Sequence, residues 1–206
     1  MAPEPPSTDV DMRPWALTAI VLGLALVMNL WTGNDLWLGY TVFGSTCFMI
    51  LLGLIRANRI RIPSGAVWMV GVGAALHYLG GSMAGLHQFR GGTENGLYYA
   101  FPWWDNVVHF LGSWAVGVAA VALLAPMLAG PRWLLPVLGT TVAVTVGALV
   151  ELWEFSQFVF FGTIDQGFYT NTLLDLYYNL LGGGAGAFIY ARSRRGSPAP
   201  STPDSK

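Results

Sequence analysis

Apolar residues along the chain fall into six long runs, separated by polar and turn-forming residues. The runs are Trp15–Trp31, Leu36–Ile55, Ser64–Leu86, Trp103–Leu128, Trp133–Phe158 and Asn171–Ala191. Each is close to the roughly 20 residues that an α-helix needs to cross a bilayer. The breaks carry turn chemistry: Thr32-Gly33-Asn34-Asp35, Ile62-Pro63-Ser64, Gly91-Gly92 and Gly130-Pro131-Arg132. A longer loop, HQFRGGTENGLYYAF, joins the third and fourth runs. Both halves hold three runs, but their polar residues do not correspond, so no internal repeat is read. The pattern predicts an all-α polytopic membrane bundle of about six transmembrane helices.

Composition agrees. Charged residues make up 10% of the chain and the mean hydropathy is +0.52, whereas a soluble domain carries about 25% charged residues. The net charge of −1 and the lack of a basic patch argue against a nucleic-acid partner. A single cysteine, Cys47, excludes an intramolecular disulfide. Residues 1–13 are polar, Pro-rich and acidic, without the basic start of a cleaved signal peptide. Residues 192–206 are Pro/Ser-rich and read as a disordered tail. The membrane domain is expected over residues 14–191.

Arginines set the expected orientation. With the N-terminus inside, the cytoplasmic side holds Arg13, Arg56, Arg59, Arg61, Arg132, Arg192, Arg194, Arg195 and Lys206, and the outer side holds only Arg90. Such asymmetry predicts both termini in the cytoplasm and an even number of spans. Tyr98, Tyr99, Phe101, Trp103 and Trp104 then form an outer aromatic belt, with Trp15 and Trp133 at the inner interface.

This orientation gathers the charged residues inside the spans. Asp105 and His109 fall in the first turns of the fourth span, Glu151 and Glu154 near the end of the fifth, and Asp175 and Asn179 near the start of the sixth. All lie roughly 3–13 Å below the outer interface at the helical rise of 1.5 Å per residue. The pairs are spaced i,i+4, i,i+3 and i,i+4, so each shares one helix face. Gly112, Ser113, Gly147, Gly182 and Gly186 continue those faces, which predicts close packing of spans four, five and six. His77, deeper in the third span, and Arg90, in the outer loop, are further candidates for the same cavity. An ionised side chain in hydrocarbon is costly, and no Lys or Arg lies within these segments. A bound divalent metal, shared protons or a water-filled cavity would each resolve the imbalance.

Each feature also has a plain structural reading. Asp105 and His109 suit a local helix pair, Asp175 and Asn179 suit interhelical hydrogen bonding, and His77 suits a satisfied core histidine. An interfacial, solvated Glu151/Glu154 pair fits less well, because Leu152, Trp153 and Phe155 surround it. His87, Glu94 and Asp165 belong to loops. Gly182-Gly183-Gly184 lacks the strand-turn-helix context of a phosphate loop. No Gly-x-Ser-x-Gly elbow or HExxH motif occurs. Asp, His, Glu, Glu and Asp together suit a hard metal or carboxylate-bridged ions better than structural zinc.

Three pieces, WWDNVVHFLGSWAVG, ALVELWEF and FFGTIDQGFYTNTLLDLYYNLLGGGAGA, resemble the VanZ-like and, more closely, the YjdF-like bacterial integral membrane proteins. Asp105, His109 and Phe110 match the first motif of that pattern, Glu151 and Glu154 the second, and Thr172, Asp175, Asn179 and Gly182 the third. The segment LHYLGG around His77 is similar as well. Asn106 stands where the pattern has a basic residue, which deepens the acid excess, and Asn171 stands where it has an Asp. The resemblance implies a helical, multi-pass protein of the bacterial cytoplasmic membrane and no particular reaction.

Three functions are therefore expected. In the first, Asp105, His109, Glu151, Glu154 and Asp175 hold a divalent metal, and Glu151 or Glu154 acts as general base on a membrane lipid or lipid-linked envelope substrate. In the second, the acids share protons in a proton- or cation-linked transporter. In the third, the polar layer fastens helices together in a non-catalytic envelope binding or assembly module.

Overall fold

The computed structural model describes residues 12–57, 62, 64–83, 96–128, 130–131, 133–162 and 169–194. Among them all regular structure is helical: α1 Arg13–Thr32, α2 Asp35–Ala57, α3 Ser64–Met83, α4 Gly96–Ala100, α5 Trp104–Leu124, α6 Leu134–Phe161 and α7 Tyr169–Ser193. α1, α2, α3, α5 and α6 are long and apolar enough to cross a membrane. α7, at 25 residues, has the length and is less apolar, for a reason its inner face makes plain below. The short α4 lies where sequence predicts only loop. Of the expected tails, residues 1–11 and 195–206 lie outside the described residues, as do Arg90, His87, Glu94 and Asp165, whereas Arg13 opens α1 and Arg192 and Ser193 close α7.

The helix ends follow local chemistry. Pro14 in the first turn of α1 gives up an N–H that has no helical partner anyway. Gly33 stops α1 in the left-handed conformation, φ 67°, and returns its N–H to the Asn29 carbonyl. Asn34 then caps α2, its side-chain oxygen accepting from the Trp37 N–H at 3.3 Å. Gly162, φ 68°, ends α6 in the same way through the Phe158 carbonyl.

The chain divides into two compact units, residues 1–108 and 109–206, with the division inside α5. In the first unit Trp15, Ile55 and Val67 form the core, with Phe48, Leu52 and Ile62 against it. Buried polar residues tie its helices: Asn29 donates to Thr41 Oγ1 at 3.1 Å, and Thr41 donates to the Trp37 carbonyl. α3 contains one π-helical turn, Ala75–Leu79, and Trp104 Nε1 donates to the Leu76 carbonyl within it.

In the second unit α5, α6 and α7 pack backbone to backbone. A Cβ on Gly182 would fall 2.1 Å from the Phe110 carbonyl oxygen, one on Gly186 2.4 Å from that of Trp114, and one on Gly117 2.5 Å from that of Gly183. Small residues thus line the seam, as the sequence predicts, with one exception: Gly112 faces open space. α7 buries Asp175, Asn179, Gly182, Gly183, Gly186, Ala187 and Ala191. It exposes Leu173, Leu174, Leu180, Leu181, Phe188 and Ile189. Large apolar side chains outside and small or polar ones inside invert the soluble pattern and suit lipid as solvent. They also explain why α7 is the least apolar of the long helices.

Candidate metal centre

The buried polar residues of α7 recur every four positions: Asn171, Asp175 and Asn179 follow one another along a single face. Helical geometry alone aligns them, and the glycine seam just beyond brings that face close to α5 and α6. Asp175 and Asn179 are each 1% exposed. Opposite them, α5 supplies His109 and Ser113, one turn apart, and α6 supplies Glu151, 4% exposed. Asp105 lies one turn before His109 on the same helix and is half-buried.

The imidazole of His109 is the hub. Its Nε2 stands 3.6 Å from Glu151 Oε1 and 3.9 Å from Asp175 Oδ1. Its Nδ1 stands 3.2 Å from Asn179 Oδ1. Ser113 donates to the same amide oxygen at 2.7 Å. Asn171 donates through its amide nitrogen to Asp175 Oδ2, which leaves Oδ1 as the oxygen turned toward His109. One ligand atom each from Asp105, His109 and Asp175 lie within 4.8 Å of one another, close enough to hold a metal ion.

Ligand atoms held about 2.0–2.5 Å from one ion stand roughly 3–4 Å apart. The 3.6 and 3.9 Å separations at Nε2 fall in that range. They exceed the roughly 2.7–3.2 Å of an N–H···O hydrogen bond. One nitrogen and several carboxylate oxygens form a mixed set suited to a divalent ion.

The structure places the remaining sequence candidates as follows. Glu154 is on α6, three residues beyond Glu151 and half-buried, and is not in the three-residue group that closes within 4.8 Å. Asn179 reaches the histidine rather than an ion position. His77 lies among aromatic rings of the first unit. Its Nδ1 is 2.6 Å from the Tyr98 hydroxyl, and the rings of Trp37, Tyr40, Tyr78 and Tyr98 have centroids 4.7–6.2 Å from its own. Arg90 lies outside the described residues. Asn171, in sequence a departure from a motif, orients Asp175. Ser113, in sequence a small packing residue, anchors Asn179.

A family model, DUF2238, described as a predicted membrane protein, matches residues 13–196. No curated protein and no solved structure matches the chain.

Proposed function

We propose that this chain, which belongs to the DUF2238 family of predicted membrane proteins, is a membrane-embedded enzyme. Its His/carboxylate centre takes a divalent metal ion and acts on the headgroup of a membrane lipid or lipid-linked envelope substrate. The observation that carries this reading is the convergence of His109 Nε2 with Glu151 and Asp175 oxygens, buried, with Asp105 one turn away. A divalent ion there supplies a Lewis acid for a phosphoryl or acyl oxygen. Glu154 serves as general base for water or a hydroxyl nucleophile, since it lies one turn beyond Glu151 on α6, and Glu151 is the glutamate 3.6 Å from His109 Nε2. Leu149, Leu152, Trp153 and Phe155, exposed on the same stretch of α6, offer acyl chains a surface beside the site.

The finer likeness to VanZ-like and YjdF-like proteins, the bacterial inner membrane as location and the outer leaflet as the depth of the site all belong to this reading. They rest on the three motifs and the arginine asymmetry. Elemental analysis of purified protein tests it. Stoichiometric divalent metal is expected, and Glu151→Gln and Asp175→Asn each lose it. Fully stable protein that carries no metal and takes up none overturns the reading.

The close α5–α7 seam favours a second reading, in which the polar layer only fastens helices. In that case Asp175→Asn lowers stability and metal is absent from the wild type.

A further inference from the structure

We infer that the first unit holds a second polar site, at the end where α1 turns into α2. It binds hydroxyl groups, either of ordered water or of a polyol lipid headgroup. The site uses none of the residues of the metal centre and does not rest on the metal reading.

Two contacts locate it. Thr18 of α1 lies against Gly71 of α3, where a Cβ would fall 2.9 Å from its Oγ1. Trp37, just past the α1–α2 turn, lays its indole on Gly81, where a Cβ would fall 2.1 Å from the ring. α3 thus runs alongside α1 in the same direction and ends beside the start of α2. The last turns of α1 and α3 bring Asn29 and Ser82 to this end, and the start of α2 brings Asn34 and Trp37. Asn29 and Ser82 are fully buried, and Trp37 and Asn34 are 7% and 8% exposed.

Each of the four keeps one buried polar atom with no hydrogen-bond partner among the described residues: Asn29 Oδ1, Asn34 Nδ2, Trp37 Nε1 and Ser82 Oγ. Neighbouring bonds fix which of these donate. Thr41 Oγ1 lies 2.7 Å from the Trp37 carbonyl, which has no proton, so the hydroxyl proton goes there. Asn29 must then donate to Thr41 through Nδ2, which leaves its Oδ1 as an acceptor. The Trp37 backbone N–H occupies Asn34 Oδ1, which leaves Asn34 Nδ2 as a donor. Trp37 Nε1 can only donate. The set needs a group that accepts from N–H and also donates to an amide oxygen. A hydroxyl does both. A carbonyl or an anion only accepts, and an ammonium only donates.

Pinning of α1 to α2 explains the Asn29–Thr41 bond but not the four remaining atoms. Buried polar atoms are nearly always bonded, and in lipid no bulk water replaces a missing partner. The surroundings also point to a ligand. The Trp37 indole stacks on Tyr98 at 5.5 Å and meets the edge of His77 at 5.2 Å. His77 lies in the π-helical turn of α3, and such turns are frequent at functional sites.

The test uses the full chain, labelled with ¹⁵N-tryptophan, in nanodiscs of two compositions. Phosphatidylcholine carries no hydroxyl, whereas phosphatidylglycerol has a polyol headgroup. The chain has nine tryptophans, and the Trp37 indole signal is the one lost in Trp37→Phe. Magnetisation transfer to Trp37 Nε1–H is the expected result. Transfer from water in both membranes assigns ordered water. Transfer from glycerol protons in phosphatidylglycerol assigns the lipid headgroup. No transfer from either source overturns the site. Ser82→Ala supplies a second readout through the sign of its effect. If Ser82 Oγ binds a hydroxyl, the unfolding temperature falls by about 2–4 °C, the shift expected from one lost hydrogen bond in a chain of this size. If the buried hydroxyl has no partner, removing it relieves a cost, so an unchanged or raised unfolding temperature also overturns the site. Should Trp37→Phe fail to fold, Ser82→Ala decides.

Discussion

Gly147 on α6 leaves the space that the Asn179 amide of α7 occupies: a Cβ at 147 would fall 2.3 Å from its nitrogen and 2.4 Å from its amide carbon. No real Cβ contact is that short, so an alanine must move either Asn179 or the helix. The first prediction is that Gly147→Ala loses about 1–3 kcal/mol of stability, the usual result of overpacking. It should also weaken metal binding through displacement of the amide from His109. Thermal unfolding in detergent and a Zn²⁺ titration check the two effects. Wild-type values in both would mean that the notch does not position Asn179.

A second prediction separates the glycines that hold the seam from those that do not. Gly182→Ala directs a methyl at the Phe110 carbonyl oxygen, and backbone cannot rotate aside. α5 and α7 must part, at a loss of roughly 1–3 kcal/mol or more. Gly112→Ala, on α5, meets nothing within 4 Å. It should be neutral, or stabilising by at most about 1 kcal/mol through helix propensity. Both are read by thermal unfolding of the purified variants. Equal destabilisation by the two would contradict the packing.

How far the sequence discloses this arrangement depends on the kind of information each feature needs. The long helices are legible because a run of apolar residues of spanning length has few other uses, and the α1–α2 break is legible because Gly33 and Asn34 carry their own turn chemistry. α7 shows the limit of hydropathy alone, since the face that builds the site dilutes its apolar signal. The π-helical turn at Ala75–Leu79 has no sequence marker, because it depends on a shift of backbone bonding rather than on residue type. Helical spacing correctly aligns Asp175 with Asn179. It cannot say that Asn179 serves His109, 70 positions away in sequence, because that contact exists only once α5 and α7 have packed. Gly112 and Ser113 differ for the same reason. Both look like small residues on one face, yet one faces open space and the other anchors the amide.

His77 yields a third prediction. Its hydrogen bond to Tyr98 and its ring of aromatic neighbours belong to the first unit. Tyr98→Phe removes the hydroxyl and keeps the ring, so the loss should be near the net worth of one hydrogen bond, about 0.5–1.5 kcal/mol. Metal content should not change. Unfolding temperature and elemental analysis on one preparation test both halves. Metal lost from otherwise stable Tyr98→Phe protein would show that His77 and Tyr98 act on the metal centre.

A fourth prediction concerns the side of the membrane on which the site opens. The orientation proposed from the arginine distribution has both termini in the cytoplasm, and on that proposal His109, Glu151 and Asp175, near the start of α5, the end of α6 and the start of α7, belong to the outer leaflet. Cys47, the only cysteine, can be replaced by alanine, so single reporters Ala2→Cys, Thr93→Cys and Ser205→Cys can be read one at a time. A membrane-impermeant maleimide on intact cells should label Thr93→Cys alone. The two terminal reporters should label only after permeabilisation. Labelling of both termini on intact cells would invert the chain, and the metal centre would then face substrates of the inner leaflet. Labelling of one terminus only would require an odd number of spans, and α7, the long helix that is not apolar enough by composition, would then be the one that fails to cross.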